Sequence, residues 1–94
     1  MSWSLTLTTD RPIEERDLYR ILSDEDISKF PMRQSWGWPS SSTGLGVDVD
    51  LPKGKSLRLN GAYWSAHLAK EAAEKVATGL RNLGYKIRVG RLDQ

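Results

Sequence analysis

Polar and apolar residues alternate strictly from Trp3 to Thr9: Trp3, Leu5 and Leu7 fall on one side, Ser4, Thr6 and Thr8 on the other. A period of two in β-favouring residues predicts a half-buried strand. The period then changes. Asp10 is placed to cap a helix, Pro12 suits a first helical turn, and Glu14 and Glu15 suit the positive end of the helix dipole. Leu18, Ile21 and Leu22 supply the apolar stripe, with Ile13 less well aligned, so a short helix is expected over about Pro12 to Leu22.

The signals near the other end are stronger. In "SAHLAKEAAEKVATGLRNLGY", Ala69, Ala72, Ala73, Val76, Ala77, Leu80 and Leu83 recur at helical spacing, and Lys70, Glu71, Glu74, Lys75 and Arg81 lie opposite. Ser65 is the expected N-cap and Gly84 the residue that ends the helix in a left-handed conformation. Gly79 inside the helix costs up to ~1 kcal/mol relative to alanine. With the neighbouring alanines it predicts a close approach to whatever the helix covers. "YKIRVGR" returns to alternation, with Tyr85, Ile87 and Val89 facing one way and Lys86 and Arg88 the other.

"LGVDVDLPKGKSLRLNG" reads as a hairpin. Val47, Val49 and Leu51 share one face, and so do Leu57 and Leu59. A two-residue turn at Lys53–Gly54 would put Val49 opposite Arg58 and mix the faces. A three-residue loop, Pro52-Lys53-Gly54, sets Val49 against Leu57, Val47 against Leu59 and Asp48 against Arg58, and its residues suit a type I turn followed by a left-handed position. That register is the expectation.

The element order is therefore β-α-β-β-α-β in a single domain over residues 1–94. The simplest closure is an α+β, ferredoxin-like fold: a four-stranded antiparallel sheet with both helices on one face. Ser23 to Thr43 forms a long connection of about twenty residues, a length that marks either a functional loop or a further element. Within it "SDEDIS" suits one more helical turn, and "MRQSWGW" a short extra edge strand.

Composition narrows the chemistry. The chain has 38% hydrophobic and 28% charged residues, as folded water-soluble proteins do. It has no cysteine and one histidine, which removes disulfides and thiolate chemistry and leaves a metal little besides scattered carboxylates. No apolar run is long enough to span a membrane, and "MSWSLTLTTDRP" has no secretory pattern, so a cytoplasmic location is expected. "LPKGKS" resembles a phosphate loop only in its Gly-Lys-Ser and joins two strands, and "SDEDIS" lacks the ligand spacing of a calcium loop. No cofactor and no metal is expected.

What remains is aromatic. "QSWGWPSSSTG" sets Trp36 and Trp38 one residue apart in loop-like composition, and the topology places them at the same end as Trp3, Phe30, Tyr63 and Trp64. Such a group either closes a small core or anchors a partner. In the second case Trp36 should pack under the loop and Trp38 be the more exposed. The leading expectation is a small non-enzymatic protein-binding or regulatory domain, of the kind found among accessory and phage-type mobile-element proteins acting on a host protein. Its partner-binding residues would be Trp36, Trp38, Tyr63 and Trp64, and a homo-oligomer is compatible with the same surface. The alternative is nucleic-acid binding through Arg33, Lys53, Lys55, Lys86, Arg88 and Arg91. Those positions scatter over both ends of the sheet, and the net charge of +2 is small. RNA binding on the open face, as in RNA-recognition domains, is not expected, because Ser, Thr, Arg and Asn stand where stacking aromatics would be. An enzyme centred on His67 ranks third. A general base there would need an orienting partner that the spacing does not supply.

Overall fold

The computed structural model of the chain describes residues 2–22, 32–34, 47–50 and 52–94, with backbone only at 32–34 and at residue 64. Among these, β1 (Ser2–Thr9), β2 (Met32–Gln34), β3 (Val47–Val49), β4 (Ser56–Ala62) and β5 (Ile87–Val89) form one sheet in the order β2-β3-β4-β1-β5. β3, β4, β1 and β5 are antiparallel each to the next, and β2 lies parallel to β3 at the edge. Among the described residues two helices complete a mixed α+β fold: α1 (Glu15–Leu22) and α2 (Ala69–Asn82), the latter entered through a 3₁₀ turn over Tyr63–Leu68. The extra edge strand suggested by "MRQSWGW" is present over Met32–Gln34; the readings for "SDEDIS", Phe30, Trp36 and Trp38 lie outside the described residues.

Alternation in β1 does what its spacing predicts. Trp3, Leu5 and Leu7 are buried, and with Val47, Val49, Leu57, Leu59 and Ile87 they make the inner face of the sheet. α2 crosses β1, β4 and β5 and covers that face with Ala69, Ala72, Ala73, Val76, Ala77 and Leu80, while α1 packs beside it. The small residues of α2 allow this approach. A Cβ on Gly79 would sit 3.0 Å from Cγ2 of Ile21, so the helix pair closes where glycine leaves room.

The ends of α2 differ in how well their local sequence describes them. At the C-terminus Tyr85 N–H donates to the Leu80 carbonyl (3.1 Å) and Gly84 N–H to the Arg81 carbonyl (2.9 Å). With Gly84 at φ 97°, this is a Schellman motif, sealed by burial of Leu80 and Tyr85. At the N-terminus the expected Ser65 cap is absent. Ser65 lies inside the 3₁₀ turn and its hydroxyl is used elsewhere, as described below.

α1 begins at Glu15, not at Pro12. The N–H of Ile13 donates to the Gly54 carbonyl in the hairpin turn (3.0 Å), which ties a buried Ile13 to the hairpin ahead of the helix, with Pro12 exposed before it. Glu14 then accepts the first helical bonds, from Asp17 and Leu18. Asp10 does not cap this helix either; its Oδ1 accepts from the backbone N–H of Lys86 (3.0 Å) and the Thr9 hydroxyl (2.9 Å).

The hairpin register also differs from expectation. Val49 pairs with Leu59, not Leu57, and Asp48 with Asn60, not Arg58. Lys53 and Ser56 exchange backbone hydrogen bonds (2.9 and 3.1 Å) around a two-residue turn, Gly54-Lys55. Gly54 has φ 57° and Lys55 is not in the positive region, as a type II′ turn requires. From Asp50 to Lys53 the first arm has one residue more than the second has from Ser56 to Arg58, to which Asp50 donates. A bulge beside Pro52 absorbs it and restores the faces, and a proline, lacking an N–H, is compatible with that position.

Candidate functional site

Two surfaces carry the residues that the sequence singled out. At the lower end, where β1 starts and β4 finishes, Trp3 is 1% exposed and its indole N–H donates to the Ser65 hydroxyl (3.0 Å). That hydroxyl in turn donates to the Ala62 carbonyl (2.8 Å), so a buried Ser65 locks the exit of β4 to the start of β1. Gly61 is part of the lock, because a Cβ there would lie 2.6 Å from Ser65 Oγ and 2.9 Å from Trp3 Nε1. Trp3 is thus core. Immediately beside it, Tyr63 opens the 3₁₀ turn and is 63% exposed, the most exposed large apolar side chain among the described residues. Trp64 follows it in the same turn. Of the four aromatics expected to meet a partner, Tyr63 is held out on a braced frame; Trp36 and Trp38, and the side chain of Trp64, lie outside the described residues.

The second surface is the open face. Its rows follow from the register: Asp48, Asn60 and Ser4, joined by Asp93 of the C-terminal tail; then Arg58 and Thr6; then Ser56, Thr8 and Arg88. Asn60 donates to Asp50 Oδ1 (3.0 Å), and Arg58 Nε stands 3.8 Å from Asp50 Oδ2. The expected Asp48–Arg58 pair is therefore an Asp50–Arg58 pair, a consequence of the shifted register.

The six basic candidates divide between the two ends of the sheet, four at one and two toward the other. Thr8 stands between Ser56 and Arg88, Thr9 N–H donates to the Lys55 carbonyl (3.0 Å), and Lys53 bridges to Ser56. Lys53, Lys55, Lys86 and Arg88 therefore gather at the upper end of the sheet, all exposed. Arg33 pairs with Asp48 in the lower row, and Arg91 follows β5 down toward Asp93. The pairing of β1 with both β4 and β5, which the expected ferredoxin-like order already implies, brings residues 53–58 and 86–88 to one place.

A third group was not anticipated. Tyr85 is buried, and its hydroxyl donates to Asp17 Oδ2 (2.6 Å) and accepts from the Glu14 backbone N–H (3.2 Å). The Arg11 guanidinium lies 4.2 Å above its ring and donates to the Leu83 carbonyl. Burial first, and then the bond to Asp17, raises the Tyr85 pKa above its ordinary 10.0. A raised folded-state value means that the network's stabilisation is complete below about pH 10 and is lost as pH rises through the folded value. The urea midpoint of the wild type should therefore fall on the alkaline side more steeply than that of Tyr85→Phe, and the difference between the two curves should vanish at neutral pH apart from a constant offset of about 1 kcal/mol. Parallel curves up to strong alkali would remove the network from the stability of the fold.

His67 is exposed in the 3₁₀ turn, with no hydrogen-bonded carboxylate among the described residues. No group of three potential metal ligands occurs among them, and no helix among them is long and apolar enough to cross a membrane. No family model, no curated protein and no solved structure matches the chain.

Proposed function

We propose that the chain is a small non-enzymatic domain of the ferredoxin-like β-α-β-β-α-β type, with β2 added at one edge, and that it acts as an accessory or regulatory protein by docking on another protein. The fold reading is supported by the antiparallel order β3-β4-β1-β5 with a helix in each crossover. The functional reading is carried by one observation. Tyr63 presents most of its ring to solvent from a turn whose next turn of chain is pinned by the buried Trp3–Ser65–Ala62 bonds. A rigid aromatic with a polar tip loses little entropy on binding, which is why such residues dominate interface energetics. Trp36, Trp38 and Trp64 belong to the same proposal on the sequence alone.

Tyr63→Ala should fold normally, with a stability change within about ±0.5 kcal/mol, because the side chain is mostly outside the core. Its test is capture of a partner from the native host, followed by titration of the purified partner against wild type, Tyr63→Ala, Trp36→Ala and Trp38→Ala. The aromatic end is the interface if Tyr63→Ala weakens binding about tenfold or more, the equivalent of ~1.4 kcal/mol. Undiminished affinity in all three variants assigns the interface elsewhere.

A further inference from the structure

The upper half of the open face is a second, chemically different surface. Arg58 and Arg88 stand on the two strands flanking β1, opposite Thr6 and Thr8 respectively. Ordinary sheet spacing puts their Cα atoms about 12 Å apart on a diagonal, with Thr6 and Thr8 on the strand between them. Ser56 adds a third hydroxyl in the row of Thr8, and Lys53, Lys55 and Lys86 rim the same end. Among the described residues two carboxylates lie at this end, with Asp48 and Asp93 one row below, and both are already committed: Asp10 accepts from Lys86 N–H and Thr9, and Asp50 accepts from Asn60 and pairs loosely with Arg58, whose side chain remains 60% exposed. Five cations against these two leave an excess of three positive charges on one half-face, in a chain whose total is only +2.

We propose that this half-face binds the phosphodiester backbone of duplex nucleic acid, without reading its sequence. Guanidinium forks and hydroxyl donors match phosphate oxygens, and such contacts position a duplex but do not specify bases. A single strand is the poorer fit. Binding of that kind uses aromatic side chains on which bases stack, and none stands among the described open-face positions of β1, β4 and β5, which run from Ser2 and Ala62 at one end to Thr8, Ser56 and Arg88 at the other. In a duplex the bases are already stacked on one another and the phosphates line the outside, with base edges set back in the grooves. This inference is independent of the Tyr63 interface, which lies at the other end of the sheet.

The test uses the full chain and labelled probes of about 20 base pairs or nucleotides: DNA duplex, RNA duplex, single-stranded DNA and poly-glutamate, titrated by anisotropy across a salt series. One or both duplexes should bind, with log K falling against log salt at a slope of about −4 to −5, as five phosphate contacts require. Arg58→Gln with Arg88→Gln should weaken duplex binding about tenfold or more, and Lys53→Ala with Lys55→Ala should reduce the slope by about two. The lysine pair sits in the exposed turn, so it serves if the arginine variant does not fold. Tyr63→Ala should leave duplex affinity unchanged. The proposal is overturned if neither duplex binds at low salt, if the single strand or poly-glutamate binds as tightly as the duplexes, or if folded variants of both pairs bind like wild type.

Discussion

Val76→Asp should leave no folded protein. Val76 is fully buried on α2, between Ala72, Ala73 and Ala77 on its own helix and Leu80 one turn on, in the layer that closes on Leu5, Leu7 and Leu59. No described basic side chain lies in that layer, so the carboxylate would be buried without a partner or would have to be protonated. Either outcome costs several kcal/mol against a typical total of ~5–15 kcal/mol. Thr78→Asp, two residues away on the exposed side of the same helix, is the control and should fold. Far-UV circular dichroism and amide dispersion on the soluble fraction decide the matter. A native-like Val76→Asp spectrum would mean that α2 does not lie on the sheet as described.

Trp3→Ala should cost ~3–5 kcal/mol, the range for emptying a large buried aromatic site. Two contributions are separable. The indole fills the lower end of the core, and its N–H satisfies an acceptor on the buried Ser65 hydroxyl. Trp3→Phe keeps most of the ring and deletes the donor, while Ser65 still donates to the Ala62 carbonyl. Its cost should be smaller, about 1–2 kcal/mol plus a little lost packing. Urea unfolding of the two variants beside Ser65→Ala measures each part. If Trp3→Ala cost no more than Tyr63→Ala, the aromatic end would not contain the braced frame on which the proposed interface depends.

The contrast between Trp3 and Tyr63 shows how far a residue's type informs its role. Both belong to the aromatic end, Trp3 between two serines and Tyr63 between Ala62 and Trp64. Alternation puts Trp3 inward with Leu5 and Leu7, which a reader of the sequence can see. Tyr63 follows Ala62 at the exit of β4, where the period of two ends, and nothing local says which way it points. Ser65 illustrates the same limit from the polar side. Its position before an alanine-rich helix matches a cap, yet its hydroxyl serves an indole that lies 62 residues earlier in the chain.

Periodicity, capping and turn preference act between neighbours in the chain, so they are legible without coordinates. On those grounds the sequence determined the inward faces of β1, β3, β4 and β5, the apolar stripe of α2 and its glycine end, and the polar character of the open face. Register is another matter. A slip of two residues leaves every side chain on its own face, so hydrophobic pattern cannot choose between Leu57 and Leu59 as the partner of Val49. The choice rests on the Gly54-Lys55 turn, which is tied by its carbonyls to Thr9 and Ile13, together with the bulge that this turn demands. From that register follows the Asp50–Arg58 pair, and from the registers of β1 with β4 and β5 the placing of Arg58 opposite Thr6 and of Arg88 opposite Thr8. Only the tertiary structure decided this, because like charges far apart in the chain become neighbours through backbone hydrogen bonds that carry no trace of side-chain identity.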